Sequence, residues 1–205
     1  MKILNLYAGI GGNRKLWGKE HRVTAIENAK ETEDIYHENF PDDELIITDA
    51  HNFLLEYYKE YDFIWSSPPC PSHSRTNYFL KVTHNIIRYP DMKLYEEIIL
   101  LQTHFKGKYC VENVVGYYEP LIKPQKIHRH YFWANFIIPK IKINNKPIIA
   151  DDNIKDFEKY YGFDLSKHKG VEKRAVLRNC VHPKLGLHIF NCAFKEQQGN
   201  QKTLL

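Results

Sequence analysis

The sequence has no apolar run near the roughly 20 residues that a membrane-crossing helix requires; its longest, such as residues 98–101 and 137–139, are a fraction of that. A spanning helix and a membrane partner are therefore not expected. Cysteines are few. Cys70, Cys110, Cys180 and Cys192 form no C-x-x-C pair and no dense spacing, which excludes a disulfide scaffold and suits a reducing compartment. Cys180, His182, His188 and Cys192 fall outside the ligand spacings of a structural zinc site, so no metal is expected. An uninterrupted apolar leader is missing too, because Asn5, Gly9, Gly11, Gly12, Arg14 and Lys15 intervene. The chain reads as cytoplasmic. Neither an internal repeat nor a low-complexity linker occurs.

Acidic residues are absent from two stretches. Residues 71–90 hold Arg75, Lys81 and Arg88, and residues 121–150 hold Lys123, Lys126, Arg129, Lys140, Lys142 and Lys146, with no Asp or Glu in either. Against a formal net charge of +4, these segments carry +9 and leave −5 on the rest. Positive charge gathered on two loops is the footprint that a phosphate backbone requires. With 205 residues, 43% of them hydrophobic and 14% aromatic, the chain can bury one sizeable core and is too short for two large domains.

Short β-prone runs at residues 3–7, 22–27, 44–48, 61–66 and 108–112 alternate with helix-like segments at 13–18, 30–39, 51–58 and 91–105. This alternation predicts an α/β fold, a Rossmann-like doubly wound and mostly parallel sheet with helices on both faces. In such sheets ligands bind beyond the carboxyl ends of the strands. Residues 126–138 read as one long extended stretch, and Ile141-Lys142-Ile143 followed by Asn144-Asn145 reads as a hairpin. A final helix is expected to begin near Pro183, and residues 197–205 are polar enough to fray. The predicted division is residues 1–138 with 174–205 as the main domain and 139–173 as a small appendage.

The first strand runs into Tyr7-Ala8-Gly9-Ile10-Gly11-Gly12, a loop whose backbone amides a ligand can approach closely. The dinucleotide fingerprint needs a further glycine where Arg14 stands, which disfavours a pyrophosphate. A nicotinamide oxidoreductase survives only if this loop is read in isolation. Glu27 ends the second strand, where a carboxylate can accept from ribose hydroxyls, and Asp49 follows the third, where it can receive an adenine amino group. An acid after each of these strands fits an adenosyl ligand without phosphates, S-adenosylmethionine. Cys70, in Ser67-Pro68-Pro69-Cys70, and Glu112, in Glu112-Asn113-Val114, each follow an apolar run. They set a potential thiolate nucleophile and a potential proton donor at the ends of two expected parallel strands.

Taken in order, Gly9-Ile10-Gly11-Gly12, Glu27, Asp49, Pro69-Cys70, Glu112-Asn113-Val114, Gln125 with Arg129, and Asn179-Cys180-Val181 resemble a cytosine-C5 DNA methyltransferase, particularly the compact phage and mobile-element forms. The resemblance covers most of residues 1–138 and 174–195. It implies transfer of a methyl group from S-adenosylmethionine to C5 of a cytosine that is flipped out of duplex DNA or already single-stranded. Cys70 is then the nucleophile, Glu112 the acid and Arg129 the contact to the cytosine carbonyl. Tyr7, Ala8, Gly9, Gly11, Gly12, Glu27, Asn28, Asp49, Pro69 and Asn179 form the expected cofactor set. Ser74, Arg75, Lys81, Arg88, Gln125, Lys140, Lys142 and Lys146 form the expected DNA set. Residues 71–90 are expected to close over the substrate, and 139–173 to be a reduced target-recognition region.

The family's Gln-x-Arg-x-Arg has Ile127 at its first arginine, and Pro71 follows the nucleophile where glutamine is usual. A monomer in a bacterial or phage-infected cytoplasm is expected. An enzyme acting on transfer RNA, and a non-catalytic regulatory paralogue, are the alternatives.

Overall fold

The structure, a computed structural model, describes residues 1–143 and 153–194. Seven strands form one sheet: β1 (Lys2–Leu6), β2 (Arg22–Glu27), β3 (Glu44–Ile47), β4 (Phe63–Ser66), β5 (Lys108–Val114), β6 (Gln125–Ile127) and β7 (His130–Ala134). Their spatial order is β3-β2-β1-β4-β5-β7-β6. The first five are mutually parallel, while β7 runs antiparallel to both β5 and β6. Strand order reverses between β1 and β4, and a crevice opens beyond the carboxyl ends of strands at such a reversal. Both the loop after β1 and the loop carrying Cys70 leave the sheet there.

Central parallel strands are covered on both faces and so carry nearly unbroken apolar runs; all four residues of β4, Phe63-Ile64-Trp65-Ser66, are buried. Their side chains alternate. Ile3, Phe63, Trp65 and Phe132 pack toward α7 (Pro183–Phe194) with Leu185, Ile189 and Phe190. Leu4, Leu6, Ile64 and Val111 pack with Leu54 of α2 (Ala50–Tyr57) and with Leu94, Ile98 and Leu101 of α4 (Lys93–His104). A third cluster joins Ile10 and Ile35, the latter on α1 (Glu33–Asn39), to Phe157 and Tyr161 of α5 (Ile154–Tyr161) and Leu177 of α6 (Lys173–Asn179). Residues 154–165 therefore share a core with the first loop.

Several expected elements take another form. The helix read at 13–18 is a single 3-10 turn, Arg14–Leu16, because α7 presses on it: a Cβ at Gly186 would lie 2.3 Å from the Asn13 carbonyl oxygen. Trp17 leaves that turn to stack on Phe190, with ring centroids 5.1 Å apart. The extended stretch 126–138 is broken at His128, whose φ of 53° makes the turn between β6 and β7. Residues 71–90 contain a helix, α3 (Thr76–His84). Residues 141–143 form no strand; Ile141 and Ile143 pack against the α7-side core instead. Asn144, Asn145, Lys146 and the tail 197–205 lie outside the described residues.

Arg14 has turned away from the ligand side of its loop. Its Nε and Nη2 reach the two oxygens of Asp43 at 2.9 Å each, and Nη1 donates to the Gly18 carbonyl at 2.8 Å. Both side chains are buried. Removing one partner of a buried ion pair strands the other charge. Arg14→Ala is expected to lower stability by ~3–5 kcal/mol, read as a fall in urea midpoint; an unchanged midpoint contradicts the clamp. Gly186→Ala is expected to cost ~1–3 kcal/mol by overpacking against Asn13.

Candidate active site

Pro68 and Pro69 have no amide hydrogen and a fixed φ, so the segment after β4 leaves the sheet and must be fastened by other groups. Asn113 Nδ2, on β5, donates to the Pro68 carbonyl at 3.0 Å, and Trp65 Nε1 donates to Ser67 Oγ at 2.8 Å. The Cys70 carbonyl accepts from the amides of His73 and Ser74, both at 3.0 Å, and Ser74 bridges to Gly116 beyond β5. The thiol is thereby set at the β4–β5 edge, partly buried. Burial raises its pKa, and the negative charge of Glu112 raises it further. Thiol and carboxylate therefore feel one another across the strand ends.

Glu112 is buried. Its Oε1 lies 2.6 Å from Nδ1 of His130. The two residues sit on adjacent antiparallel strands, where Glu112 is paired with Phe132 and Val114 with His130, so they form a diagonal pair on one face. His130 is absent from the sequence-based set; its only signal was an imidazole in an aromatic strand beside Arg129. Arg129 itself stands on the exposed β6–β7 turn, where its carbonyl accepts from the Val115 amide. Its charge acts on the phenols of Tyr160 and Tyr161, although burial holds both above the ordinary value. No hydrogen bond or ion pair joins Arg129 to Glu112 among the described residues.

At the other side of the crevice, Tyr7 leaves β1 with φ 55° and Gly9 with φ 54°. A Cβ on Gly9 would meet nothing within 4 Å, so its outer side is open. Gly11 and Gly12 serve packing: a Cβ would strike the Phe40 ring at 2.1 Å from the first and the Val181 carbonyl at 2.6 Å from the second. The Asn179-Cys180-Val181 segment thus backs this loop, with Asn179 exposed at the end of α6. Glu27 accepts from the amides of Gly9 (2.7 Å), Asn28 (2.9 Å) and Ala29 (3.0 Å). A carboxylate has about four acceptor sites, which leaves it capacity for a hydroxyl. Asp49 caps α2 through the Asn52 amide at 2.7 Å, and its charge adds to burial and Glu97 in raising the Tyr7 phenol. Open backbone, two carboxylates and an aromatic ring fit an adenosyl group with a cationic sulfonium, while the nearby cations Arg14 and Lys15 are spent on Asp43 and on Asn39.

Between these halves lies a carboxylate that the sequence reading passed over. Glu97 has no solvent exposure. It accepts from Tyr7 Oη and Ser66 Oγ, both at 2.6 Å, and lies 3.1 Å from His51 Nδ1. This bond is the largest cause of the raised His51 pKa, and His51 Nε2 also meets Glu96 at 3.2 Å. The signal was present: Glu97 falls at helical spacing among Leu94, Ile98 and Leu101, a charge where the apolar stripe calls for a hydrocarbon.

The expected nucleic-acid residues separate into two groups. Arg75, Lys81 and Arg88 are exposed on or beside α3, next to the exposed apolar side chains Phe79, Val82, Ile87 and Tyr89. Ser74 is half-buried, Lys140 and Lys142 are exposed, and Lys146 lies outside the described residues. Gln125 is turned inward, its Nε2 donating to the Phe136 carbonyl and its Oε1 accepting from the Ile138 amide, both at 2.8 Å. Its amide is spent on the main chain. Pro69 is exposed beside Cys70.

Comparison with known proteins supplies the family. No curated protein matches the chain. Among solved structures, a mutant DNMT2 from Spodoptera frugiperda is 25% identical with a TM-score of 0.37, covering 55% of this chain and 35% of that one. A hypothetical protein of Thermus thermophilus is 16% identical with a TM-score of 0.44, over 65% and 73% of the two chains. An S-adenosylmethionine-dependent methyltransferase from Agrobacterium tumefaciens is 16% identical with a TM-score of 0.40, over 58% and 40%. The present chain thus spans only 35% of the DNMT2 chain. The family model described as C-5 cytosine-specific DNA methylase matches residues 1–120, a span that holds the glycine loop, Glu27, Asp49, Cys70 and Glu112. The chain belongs to the C-5 cytosine-specific DNA methylases, whose cofactor is S-adenosylmethionine.

Proposed function

We propose that this protein methylates cytosine at C5 in DNA through a covalent adduct between Cys70 and C6 of the base. The observation that carries the reading is the Asn113 hydrogen bond that fastens the Pro68-Pro69-Cys70 loop to β5 beside Glu112, so that thiol and carboxyl lie within electrostatic reach at one edge of the sheet. C5 of cytosine is a weak nucleophile, and addition of a thiolate at C6 converts the ring to an enamine. As the S–C6 bond forms, the C5=C6 π pair becomes C4=C5 and the N3=C4 pair moves onto N3, where Glu112 delivers a proton so that no anion accumulates. S-adenosylmethionine, bound between Gly9, Glu27 and Asp49, supplies an electrophilic methyl group on a sulfonium. Methyl transfer leaves S-adenosylhomocysteine; water or a weak base then takes the C5 proton, its electron pair re-forms C5=C6, the S–C6 pair returns to Cys70 as thiolate, and N3 gives its proton back to Glu112. Arg129, at the tip of the β6–β7 turn, is assigned to the cytosine carbonyl.

A base inside a duplex offers no access to C6, so the target is flipped out by about 180° or is single-stranded. The acid-free segment 71–90 with its exposed arginines and lysine supports binding of a phosphate backbone and closure over the base. Lys140, Lys142 and Lys146 add charge on the reduced target-recognition region, residues 139–173. Phosphate contacts position a protein and specify no bases.

Duplex DNA containing 5-fluorocytosine is expected to trap the wild-type protein covalently in the presence of cofactor, and Cys70→Ala to abolish the trapped species. Bisulfite sequencing of a host genome after expression then identifies the target. Methylation of transfer RNA without methylation of DNA overturns the DNA assignment, and no transfer to either overturns the activity.

Because burial and then Glu112 raise the Cys70 pKa, alkylation of the free protein at Cys70 is expected to keep rising above pH ~8.5, where an ordinary thiol is half ionised. Removing the carboxylate charge in Glu112→Gln favours the thiolate, so the midpoint moves to lower pH; peptide mapping separates Cys70 from the other three thiols. Arg75→Ala is expected to weaken DNA binding by about threefold at moderate salt and to lower the salt slope by about one. A loss of turnover at saturating DNA with unchanged binding contradicts that role.

A further inference from the structure

We propose that His130 is the positioning residue of Glu112, deciding which carboxyl oxygen carries the proton delivered to the pyrimidine. This rests on the methyl-transfer reading above. Glu112 Oε1 and His130 Nδ1 are 2.6 Å apart, and a single hydrogen atom can lie between them. Two arrangements are possible. If Nδ1 accepts, the Glu112 proton sits on Oε1 and is held against the imidazole, out of reach of any substrate. If Nδ1–H donates, Oε1 is committed as an acceptor and Oε2 is left as the oxygen that binds and releases a proton. Only the second arrangement serves a general acid.

The setting favours a fixed partner. His130 and Glu112 project from one face of neighbouring antiparallel strands, so backbone pairing holds the two side chains in register. The Phe132 ring, fully buried, lies 6.1 Å from the imidazole centroid at an interplanar angle of 32°, and the His130 side chain is 22% exposed. Arg129, one residue earlier, stands on an exposed turn and makes no hydrogen bond or ion pair to the carboxyl among the described residues. During addition the proton on Oε2 passes to N3 of the cytosine and Glu112 becomes a carboxylate, with Nδ1–H still on Oε1 stabilising the new charge. During elimination the N3 proton returns to Oε2 as the S–C6 bond breaks. His130 gains and loses no proton in the cycle.

Two measurements test this. Nitrogen NMR of histidine-labelled protein, without DNA or cofactor, is expected to show His130 protonated at Nδ1. An unprotonated Nδ1 with hydrogen on Nε2 overturns the proposal whether or not the protein transfers methyl groups. The second measurement is the rate of adduct formation with 5-fluorocytosine DNA in His130→Asn and His130→Leu. The asparagine amide can overlay Nδ1 and is expected to keep the rate within a few-fold. Leucine removes the donor and is expected to slow adduct formation on the order of 100-fold at unchanged KM for DNA and cofactor. Equal rates in both variants overturn the role of His130, as does a Leu variant whose loss lies in KM. A wild-type protein that forms no adduct while Nδ1 is protonated overturns the methyl-transfer reading and leaves the orientation of Glu112 established.

Discussion

Burying an unpaired carboxylate costs several kcal/mol, and Glu97 is buried completely. It stays only because Tyr7, Ser66 and His51 bring donors to its oxygens. Those donors come from the exit of β1, the end of β4 and the first turn of α2, so one charge ties together the two loops that flank the crevice. The glycine-loop side and the thiol side are held in a fixed relation by a residue that belongs to neither. Tyr7 also holds a backbone conformation uncommon outside glycine, φ 55°, and the bond to Glu97 is what opposes its relaxation.

The parallel sheet does the rest of the assembly. Registry between β1 and β4 and between β4 and β5 brings three sequence-distant segments to one edge: Tyr7 to Gly12 and Pro68 to Cys70 beyond their strands, and Glu112 to Val114 at the end of β5, still paired with β7. Asn113 reaches across to the Pro68 carbonyl, where the second proline leaves no amide to tie the loop. Glu112 is supported from the opposite side by an antiparallel strand. Sulfur, carboxyl and imidazole thereby stand close to one edge of the sheet, and the charged segment around α3 is left exposed.

Much of this was legible in the chain. The five parallel strands follow from short β-prone runs of five or six residues, whose ends differ from the structure by at most two positions. Cys70 and Glu112 stand out because each follows an apolar run in the sequence, and the structure brings both toward the β4–β5 edge, Glu112 inside β5 rather than after it. One kind of failure was tertiary contact overriding local pattern. Residues 13–18 have helical composition, yet α7 packs so closely at Gly186 that only one 3-10 turn fits. The helix α5 carried its own signals, Asn153 capping the Lys155 amide, Phe157 and Tyr161 at helical spacing, and Gly162 in the left-handed region after the last turn. They were obscured by treating 139–173 as a single appendage. Glu97 and His130 were missed, and Gln125 was expected at the nucleic acid but is bonded to the main chain of Phe136 and Ile138, because a side chain's hydrogen-bond partners depend on strand register and on helix rotation, neither of which a one-dimensional pattern contains.

Gly12 lies against Val181 and Cys180, and Gly186 against Asn13, so the start of the protein is shaped by a part synthesised some 170 residues later. During translation β1 and β2 can emerge and pair early, but the loop between them lacks its backing until α7 has left the ribosome. Contacts of such long sequence separation are slow to form. The glycine loop therefore stays without its backing until residues 180–186 have been made, and its final shape is among the last local structures of this sheet to form.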